Sequence, residues 1–178
     1  MYRHILIALD NSDLSRGVMQ QAIALAQGMG AKLTLLHVLC SEEVMSPTMP
    51  LIPVPEYYPS LSATTMELYQ EEWKAFETKS LANLEGYKKQ AEAAGIQTEY
   101  LQKPGSPGRV ICEVAEKLKV DLIAIGRRGH SGISELLAGS VSNYVVHHAS
   151  TSVLVCNLKT LDNSATNDQS SVVSETAL

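Results

Sequence analysis

The stretch HILIALDNSD, residues 4–13, decides the fold. Its first six residues, His4–Leu9, form a short apolar run without polar alternation, as expected of a β-strand that is buried on both faces. Side chains typical of a helix N-cap follow at Asn11, Ser12 and Asp13. A buried strand that leads directly into a helix indicates one unit of an α/β domain with a parallel sheet.

The same alternation of strand and helix continues along the chain. Further strands are predicted at 32–38, 96–101, 121–126 and 152–156, and apolar residues at helical spacing occupy 14–29, 66–91, 110–118 and 139–148. This order predicts a five-stranded, doubly wound α/β domain whose parallel sheet is covered by helices on both faces. We expect 96–101 to be an edge strand, because it is the most polar of the five.

Two segments depart from this pattern. Five prolines lie between positions 47 and 59, which excludes a regular helix there and predicts an extended insertion over 41–62. The tail, 159–178, is rich in Ser, Asn, Asp and Thr and is expected to be disordered. The folded domain is therefore expected to span residues 1–158.

Composition restricts the classes of function. The 178 residues carry a formal net charge of -5, whereas a surface that coats nucleic acid would be basic. No apolar run approaches the roughly 18 residues that cross a bilayer, and the N-terminus lacks a signal peptide. The cysteines, Cys40, Cys112 and Cys156, are odd in number and far apart, which favours buried thiols in a reducing compartment. We expect a cytoplasmic protein without nucleic-acid or membrane partners.

In doubly wound domains, ligands bind beyond the carboxyl ends of the strands. Asp10 and Ser12 lie at the end of the first predicted strand. A carboxylate there can accept hydrogen bonds from ribose hydroxyls or from a base amine. Asp10, Asn11 and Ser12 are also typical capping residues, so the pattern taken alone favours helix capping, and both roles can hold for neighbouring residues.

A second candidate group follows the fourth predicted strand. Gly126 and Gly129 permit close backbone approach, and Gly139 and Ser140 open the last helix. The unpaired N–H groups and the dipole of a helix N-terminus suit an anion, and the hydroxyls of Ser140 and Ser142 could add hydrogen bonds to phosphate oxygens. Two glycine elements after one central strand favour a phosphate site over simple turns.

The spacing Gly-x2-Gly-x9-Gly-Ser over residues 126–140 resembles the nucleotide-binding signature of the universal stress protein family. Asp10 and Ser12 match that family's first motif, and Val38 matches the strand end that contacts adenine. The resemblance covers about residues 1–157. It implies an adenine nucleotide alpha hydrolase-like, Rossmann-like fold.

The resemblance also implies which residues hold ATP or another adenine nucleotide. Asp10 and the backbone of Val38 would hold ribose and adenine, with Ala8 and Ser12 beside them. Gly126 and Gly129 would let the chain approach ribose and phosphate, and the phosphates would be held by Gly139, Ser140, Val141 and Ser142. The resemblance is compatible with Mg²⁺ or Mn²⁺ bridging the phosphates, but no carboxylate cluster in the sequence marks ligands for the ion.

Arg127 and Arg128 have two interpretations. Beside a polyphosphate they would donate charge-assisted hydrogen bonds. They are equally consistent with a pair of solvated side chains in a loop.

Three functions remain open. The first is a regulatory, stress-response module that binds ATP with no or slow hydrolysis, because the chain lacks a Walker A loop and a catalytic lysine fixed by a motif. The second is a slow ATPase or a nucleotidyl-transfer enzyme that uses Asp10 and the arginines. The third is a structural dimer that the nucleotide only reinforces.

The last predicted strand, 152–156, indicates assembly. It is short, strongly apolar and expected at an edge of the sheet, where it would be prone to aggregate unless it paired with a second protomer. The family resemblance also implies a homodimer through this strand. The sequence identifies no further protein partner.

Overall fold

The structure is a computed structural model, and it describes residues 1–43, 45–50, 59–127 and 139–157. Its elements are β1 (His4–Leu9), α1 (Leu14–Met29), β2 (Lys32–Leu39), α2 (Pro59–Ala93), β3 (Thr98–Pro104), α3 (Pro107–Leu118), β4 (Leu122–Gly126), α4 (Ser140–His148) and β5 (Ser152–Cys156). The predicted alternation of strands and helices is confirmed.

The five strands form one sheet in the order β3-β2-β1-β4-β5, and every pair is parallel. Ile5 on β1 pairs with Leu33 on β2 and with Leu122 on β4, so β1 is the central strand. This order is the doubly wound arrangement that the sequence predicts. It reverses direction between β1 and β4, and this reversal sets the place where a ligand is expected.

The two faces of β1 belong to two separate cores. Ile5 and Ile7 pack with α1 and α2, whereas Leu6 packs with α3 and α4 on the other face. All three side chains are fully buried. This burial explains why HILIAL contains no polar alternation.

The start of β1 is fixed to β4 by Asp121. Its carboxylate accepts hydrogen bonds from the backbone N–H of Arg3 at 2.8 Å and of His4 at 2.9 Å. These two bonds lower the pKa of Asp121 below its ordinary value. The ionised Asp121 therefore stabilises the folded state at neutral pH, and this contribution is lost as the pH falls through the lowered pKa that Asp121 has in the folded protein.

The third strand differs from its predicted bounds of 96–101. Gly95 has φ 80°, and the N–H of Ile96 donates to the carbonyl of Ala91 at 3.0 Å, so residues 95–96 close the end of α2. The strand therefore begins at Thr98 and continues to Pro104. Its predicted position at an edge of the sheet is confirmed.

The predicted insertion at 41–62 is too long by four residues. Helix α2 already begins at Pro59, because proline is tolerated in the first turn of a helix, where its missing N–H would have had no partner. Of the insertion, the structure describes 41–43 and 45–50. The tail predicted at 159–178, and residue 158 before it, lie outside the described residues.

Helix α2 packs on the sheet mainly through its second half, where Leu84 and Ala91 are buried. Farther toward its N-terminus, Tyr69, Trp73 and Phe76 form a stacked row with ring centroids 6.4 and 5.5 Å apart. Phe76 is buried, whereas Trp73 is only half-buried.

Within the described ranges, none of the helices combines the length and the hydrophobicity that a bilayer crossing requires.

Leu84→Ala should lower the free energy of unfolding by about 2–5 kcal/mol, because it leaves a cavity between α2 and the sheet. Leu81→Ala, three residues earlier on the same helix, should cost less than about 1 kcal/mol, because Leu81 is 37% exposed. Urea unfolding of both variants measures the difference. Equal losses would mean that α2 is not anchored through Leu84.

Candidate functional site

A cavity opens at the carboxyl edge of the sheet, beyond the ends of β1, β2 and β4 and beside the first turns of α3 and α4. Its volume of about 190 Å³ far exceeds the roughly 10–15 Å³ that one buried water needs. The cavity lies at the reversal of strand order between β1 and β4. In folds of this kind the reversal is where ligands bind.

The structure brings most of the predicted site residues to this cavity. Those that line it are Ala8, Asp10, Ser12, Val38, Gly126, Gly139, Ser140, Val141 and Ser142. Arg127 is described by the structure but does not line the cavity. Its backbone N–H donates to the carbonyl of Cys156 at 3.0 Å. Arg128 and Gly129 lie outside the described residues.

Asp10 organises the turn between β1 and α1. Its Oδ1 accepts hydrogen bonds from the backbone N–H and the hydroxyl of Ser12 and from the hydroxyl of Ser15, which lies 2.9 Å away. The backbone N–H of Asp10 donates in turn to Ser15 Oγ at 2.9 Å. Asp10 therefore fixes the turn before α1 and also lines the cavity. It does not cap the helix: the N-cap position is Asp13, whose side chain makes no capping hydrogen bond.

The backbone of Val38 faces the side of the cavity. Pairing between β1 and β2 ends at Leu9 and His37, one residue before Val38. The carbonyl of Leu39 points to the opposite side of β2, toward β3, where it accepts a hydrogen bond from Gly105 N–H at 3.1 Å. Since successive residues of a strand direct their peptide groups to alternate sides, the N–H and C=O of Val38 point toward the β1 side.

The N-terminus of α4 forms another part of the wall. Its first helical hydrogen bond runs from Asn143 N–H to the Gly139 carbonyl at 2.9 Å. The N–H groups of Ser140, Val141 and Ser142 precede this bond and have no acceptor within the helix. They provide backbone donors at the positive end of the helix dipole.

The two serines of this turn differ in their surroundings. Ser140 is exposed at the cavity. Ser142 is buried, and its hydroxyl donates to the Gly139 carbonyl at 3.0 Å. In this conformation the Ser142 proton is used within the turn, whereas the hydroxyl of Ser140 is exposed to the cavity.

Gly126 has a packing reason to be glycine. A Cβ atom there would lie 2.9 Å from Cγ2 of Val18 on α1, closer than real Cβ contacts allow. Helix α1 therefore packs directly against the end of β4. By contrast, a Cβ at Gly139 would lie 3.6 Å from Ser142 Oγ, an ordinary contact.

The cavity wall carries two chemically different kinds of group. Carboxylates at Asp10, Glu42 and Glu43 lie on the loops after β1 and β2. The first turn of α4 lines the cavity as well and supplies N–H donors. Over the part of the chain that the structure describes, no group of three or more His, Cys, Asp or Glu side chains is placed to hold a metal ion.

Sequence reasoning misses part of the wall. Pro107 and Ile111 line the cavity at the start of α3, and Ser15 lines it from α1. Pro107 begins α3, with two residues between it and the end of β3 at Pro104, whereas the predicted end of that strand at residue 101 places it farther from the strand. Glu43 also lines the wall, although it lies in a segment whose prolines predict only an extended insertion.

All three cysteines are free thiols, as the sequence predicts. Cys156 is buried, whereas Cys40 and Cys112 are half-buried. Cys40 lines the cavity, and burial raises the pKa of its thiol. Its thiolate fraction at neutral pH is therefore reduced.

The chain matches the model of the universal stress protein family over residues 1–157. A universal stress protein of Synechocystis sp. is 34% identical over 154 residues, which cover 86% of this chain and 97% of the relative. The universal stress protein YxiE of Bacillus subtilis is 32% identical over 156 residues, which cover 87% of this chain and 99% of the relative.

Solved structures share the fold. The structure of hypothetical protein MJ0577 superposes with a TM-score of 0.63 at 25% identity and covers 89% of this chain and 98% of its own. A universal stress protein in complex with cAMP superposes with a TM-score of 0.58 at 24% identity and covers 88% of this chain and 97% of its own. A family protein from Arabidopsis thaliana with AMP bound gives 0.58 at 18% identity, with coverages of 93% and 97%. By sequence over 157 residues and by fold, the chain belongs to the universal stress protein family.

Proposed function

We propose that this chain binds an adenine nucleotide, in the first place ATP, in the cavity at the carboxyl edge of the sheet. In this proposal it acts as a cytoplasmic, homodimeric regulatory module of a stress response. The observation that carries the proposal is the wall of the cavity, which combines hydrogen-bond acceptors on the loops after β1 and β2 with the N-terminus of α4. A nucleotide has the complementary distribution of donors and negative charge.

The base and the ribose occupy the end formed by β1 and β2. Leu36 and Ile111 supply apolar surface for a flat base, and the peptide groups of Val38 supply the hydrogen bonds that fix its orientation. The ribose hydroxyls donate to the carboxylate of Asp10. Ala8 and Ser12 complete this end of the wall.

The phosphates occupy the end formed by α4. The N–H groups of Ser140, Val141 and Ser142 donate to phosphate oxygens, and the helix dipole adds a favourable field. Gly139 leaves the backbone accessible at this point. We assign Gly126, Arg127, Arg128 and Gly129 to the same end, on the family signature alone.

Two of the solved relatives are complexes with cAMP and with AMP. Those ligands are properties of those proteins, which at 24% and 18% identity share only the fold with this chain. The ligand class of this chain therefore rests on its own cavity and on the family signature. The complexes agree with that class.

The residues present do not fit a metal that the protein holds by itself, since the described part of the chain has no cluster of ligating side chains. A Mg²⁺ or Mn²⁺ ion in this proposal arrives with the nucleotide, bound to its phosphates.

Gly139→Asp should abolish ATP binding, because it places a carboxylate at the helix N-terminus that faces the phosphates. The contact at 3.6 Å leaves room for a side chain, and aspartate is a good N-cap, so the fold should be kept. Gly139→Asn is the matched control: it has the same shape without the charge and should lose far less affinity. Calorimetric titration with ATP measures both, and undiminished affinity in Gly139→Asp would place the site elsewhere.

The binding module is favoured over a slow ATPase or a nucleotidyl-transfer enzyme. Oδ1 of Asp10 already accepts hydrogen bonds from Ser12 and Ser15, which leaves it poorly placed to activate a nucleophile. We expect purified protein to release phosphate from ATP at less than about 1 per second, below the usual range of enzymes. Turnover of many ATP per second that Asp10→Ala abolishes would establish the enzyme instead.

Dimerisation through β5 is the second part of the proposal. In the described sheet β5 pairs only with β4, and its other edge is open. Leu154 on β5 is 37% exposed, and Val146 on the neighbouring helix α4 is 49% exposed. An apolar edge of this kind is suited to a second copy of the chain.

Leu154→Glu should convert the proposed dimer into a monomer, because it places a charge in the edge strand. Leu68→Glu is the control, since Leu68 is 56% exposed on α2, away from the edge, and its replacement should leave a dimer. Sedimentation velocity at micromolar concentration separates the two states. A stable monomer in the unmodified protein would contradict this part of the proposal.

A further inference from the structure

The loop after β2 contains a buried carboxylate. The side chain of Glu43 is only 4% exposed, and it lines the wall of the cavity. Acidic side chains are almost never fully buried unless they are paired or hydrogen-bonded, because desolvation of the charge is costly. The position of Glu43 therefore requires strong partners.

Those partners come from the turn after β1 and from β2. Oε1 of Glu43 accepts a hydrogen bond from the backbone N–H of Asn11 at 2.7 Å. Nε2 of His37 lies 2.9 Å from Oε2 and 3.2 Å from Oε1. His37 is itself buried, as expected for a core histidine with satisfied hydrogen bonds.

Gln102 on β3 determines which nitrogen of His37 carries the proton. The amide nitrogen of Gln102 lies 3.1 Å from Nδ1 of His37 and 3.4 Å from the backbone carbonyl of Glu77. A carbonyl only accepts, so this amide nitrogen is a donor to both groups. Nδ1 is then an acceptor, and the proton on Nε2 points at Glu43.

Glu43 joins β1 and β2 at the point where their backbone pairing stops. The last pair is Leu9 with His37, and Asn11 lies two residues beyond β1. The carboxylate thus bridges the diverging ends of the two strands. The cavity opens between these ends and β4.

Asn11 is held on its other side by α2. Its Nδ2 donates to Ser80 Oγ at 2.7 Å, and its Oδ1 accepts from Asn83 Nδ2 at 2.9 Å. Helix α2 thus fixes the side chain of Asn11, whereas Glu43 fixes its backbone N–H. The peptide group that joins Asp10 to Asn11 is oriented by the Glu43 bond.

We propose that Glu43 is a positioning residue of the nucleotide site: it orients Asp10 toward the ribose by holding the N–H of Asn11. The inference rests on the proposed function, because the group that Asp10 receives is a ribose hydroxyl. Without Glu43, the Asn11 N–H loses its acceptor, and the loop that carries Asp10 must rearrange to satisfy it. His37 and Gln102 stabilise this position of Glu43: Nε2 of His37 donates to the Glu43 carboxylate, and Gln102 donates to Nδ1 of His37.

The first measurement is ATP affinity by calorimetry. Glu43→Ala should weaken ATP binding at least tenfold. Glu77→Ala is the matched control, since it removes the same charge from an exposed side chain beside the network, and should change affinity less than about twofold. Glu43→Gln should lie between Glu43→Ala and the unmodified protein, because its amide oxygen can still accept from Asn11. Equal effects of Glu43→Ala and Glu77→Ala would overturn the inference.

A double-mutant cycle with Asp10 distinguishes positioning from a general loss of structure. If Glu43 acts through Asp10, Glu43→Ala should cost less than about twofold in affinity once Asp10→Ala is present. Fully additive losses would overturn the inference. Where Glu43→Ala fails to fold, Glu43→Gln is used in the same cycle and carries the same two outcomes.

Amide hydrogen exchange at Asn11 separates failure of this inference from failure of the proposed function. Exchange in the nucleotide-free protein should accelerate at least tenfold in Glu43→Ala and stay unchanged in Glu77→Ala. Unchanged exchange in Glu43→Ala would overturn the positioning role whether or not ATP binds. Absence of ATP binding by the unmodified protein, together with accelerated exchange in Glu43→Ala, would refute the proposed function and the role of Asp10 toward ribose. The hydrogen bond by which Glu43 holds the Asn11 N–H would still be supported.

Discussion

Burial of β1 on both faces is the constraint on which the rest of the structure depends. Ile5, Leu6 and Ile7 are fully buried because helices cover both faces of the sheet, and β1 pairs with β2 on one edge and with β4 on the other. The chain continues from β1 to β2 on one side and returns to β4 on the other. The loops that follow these strands then diverge, and the space between them is the cavity.

Most of the fold could be predicted from the sequence, because its signals are local. Apolar runs predicted the strands, and Gly139 predicted the start of the last helix. The candidate site was largely predicted as well, because the carboxyl ends of parallel strands meet at one edge. Val38 and Gly139 thereby reach the same cavity although about a hundred residues separate them.

What could not be predicted depends on contacts between distant residues. The hydrogen bond between Asn11 and Ser80 joins residues 69 positions apart, and no local sequence pattern predicts it. Glu43 lies in a proline-rich segment whose sequence indicates only irregular structure. Its burial depends instead on hydrogen bonds with His37 and Asn11, which lie elsewhere in the chain.

The stacked row on α2 gives this chain a built-in optical probe. Trp73 is its single tryptophan, half-buried between Tyr69 and Phe76. The carbonyl of Phe76 accepts a hydrogen bond from the hydroxyl of Ser80, and that hydroxyl accepts one from the side-chain amide of Asn11. The emission of one indole therefore reports on the same helix that holds the loop beside the cavity, without an attached dye.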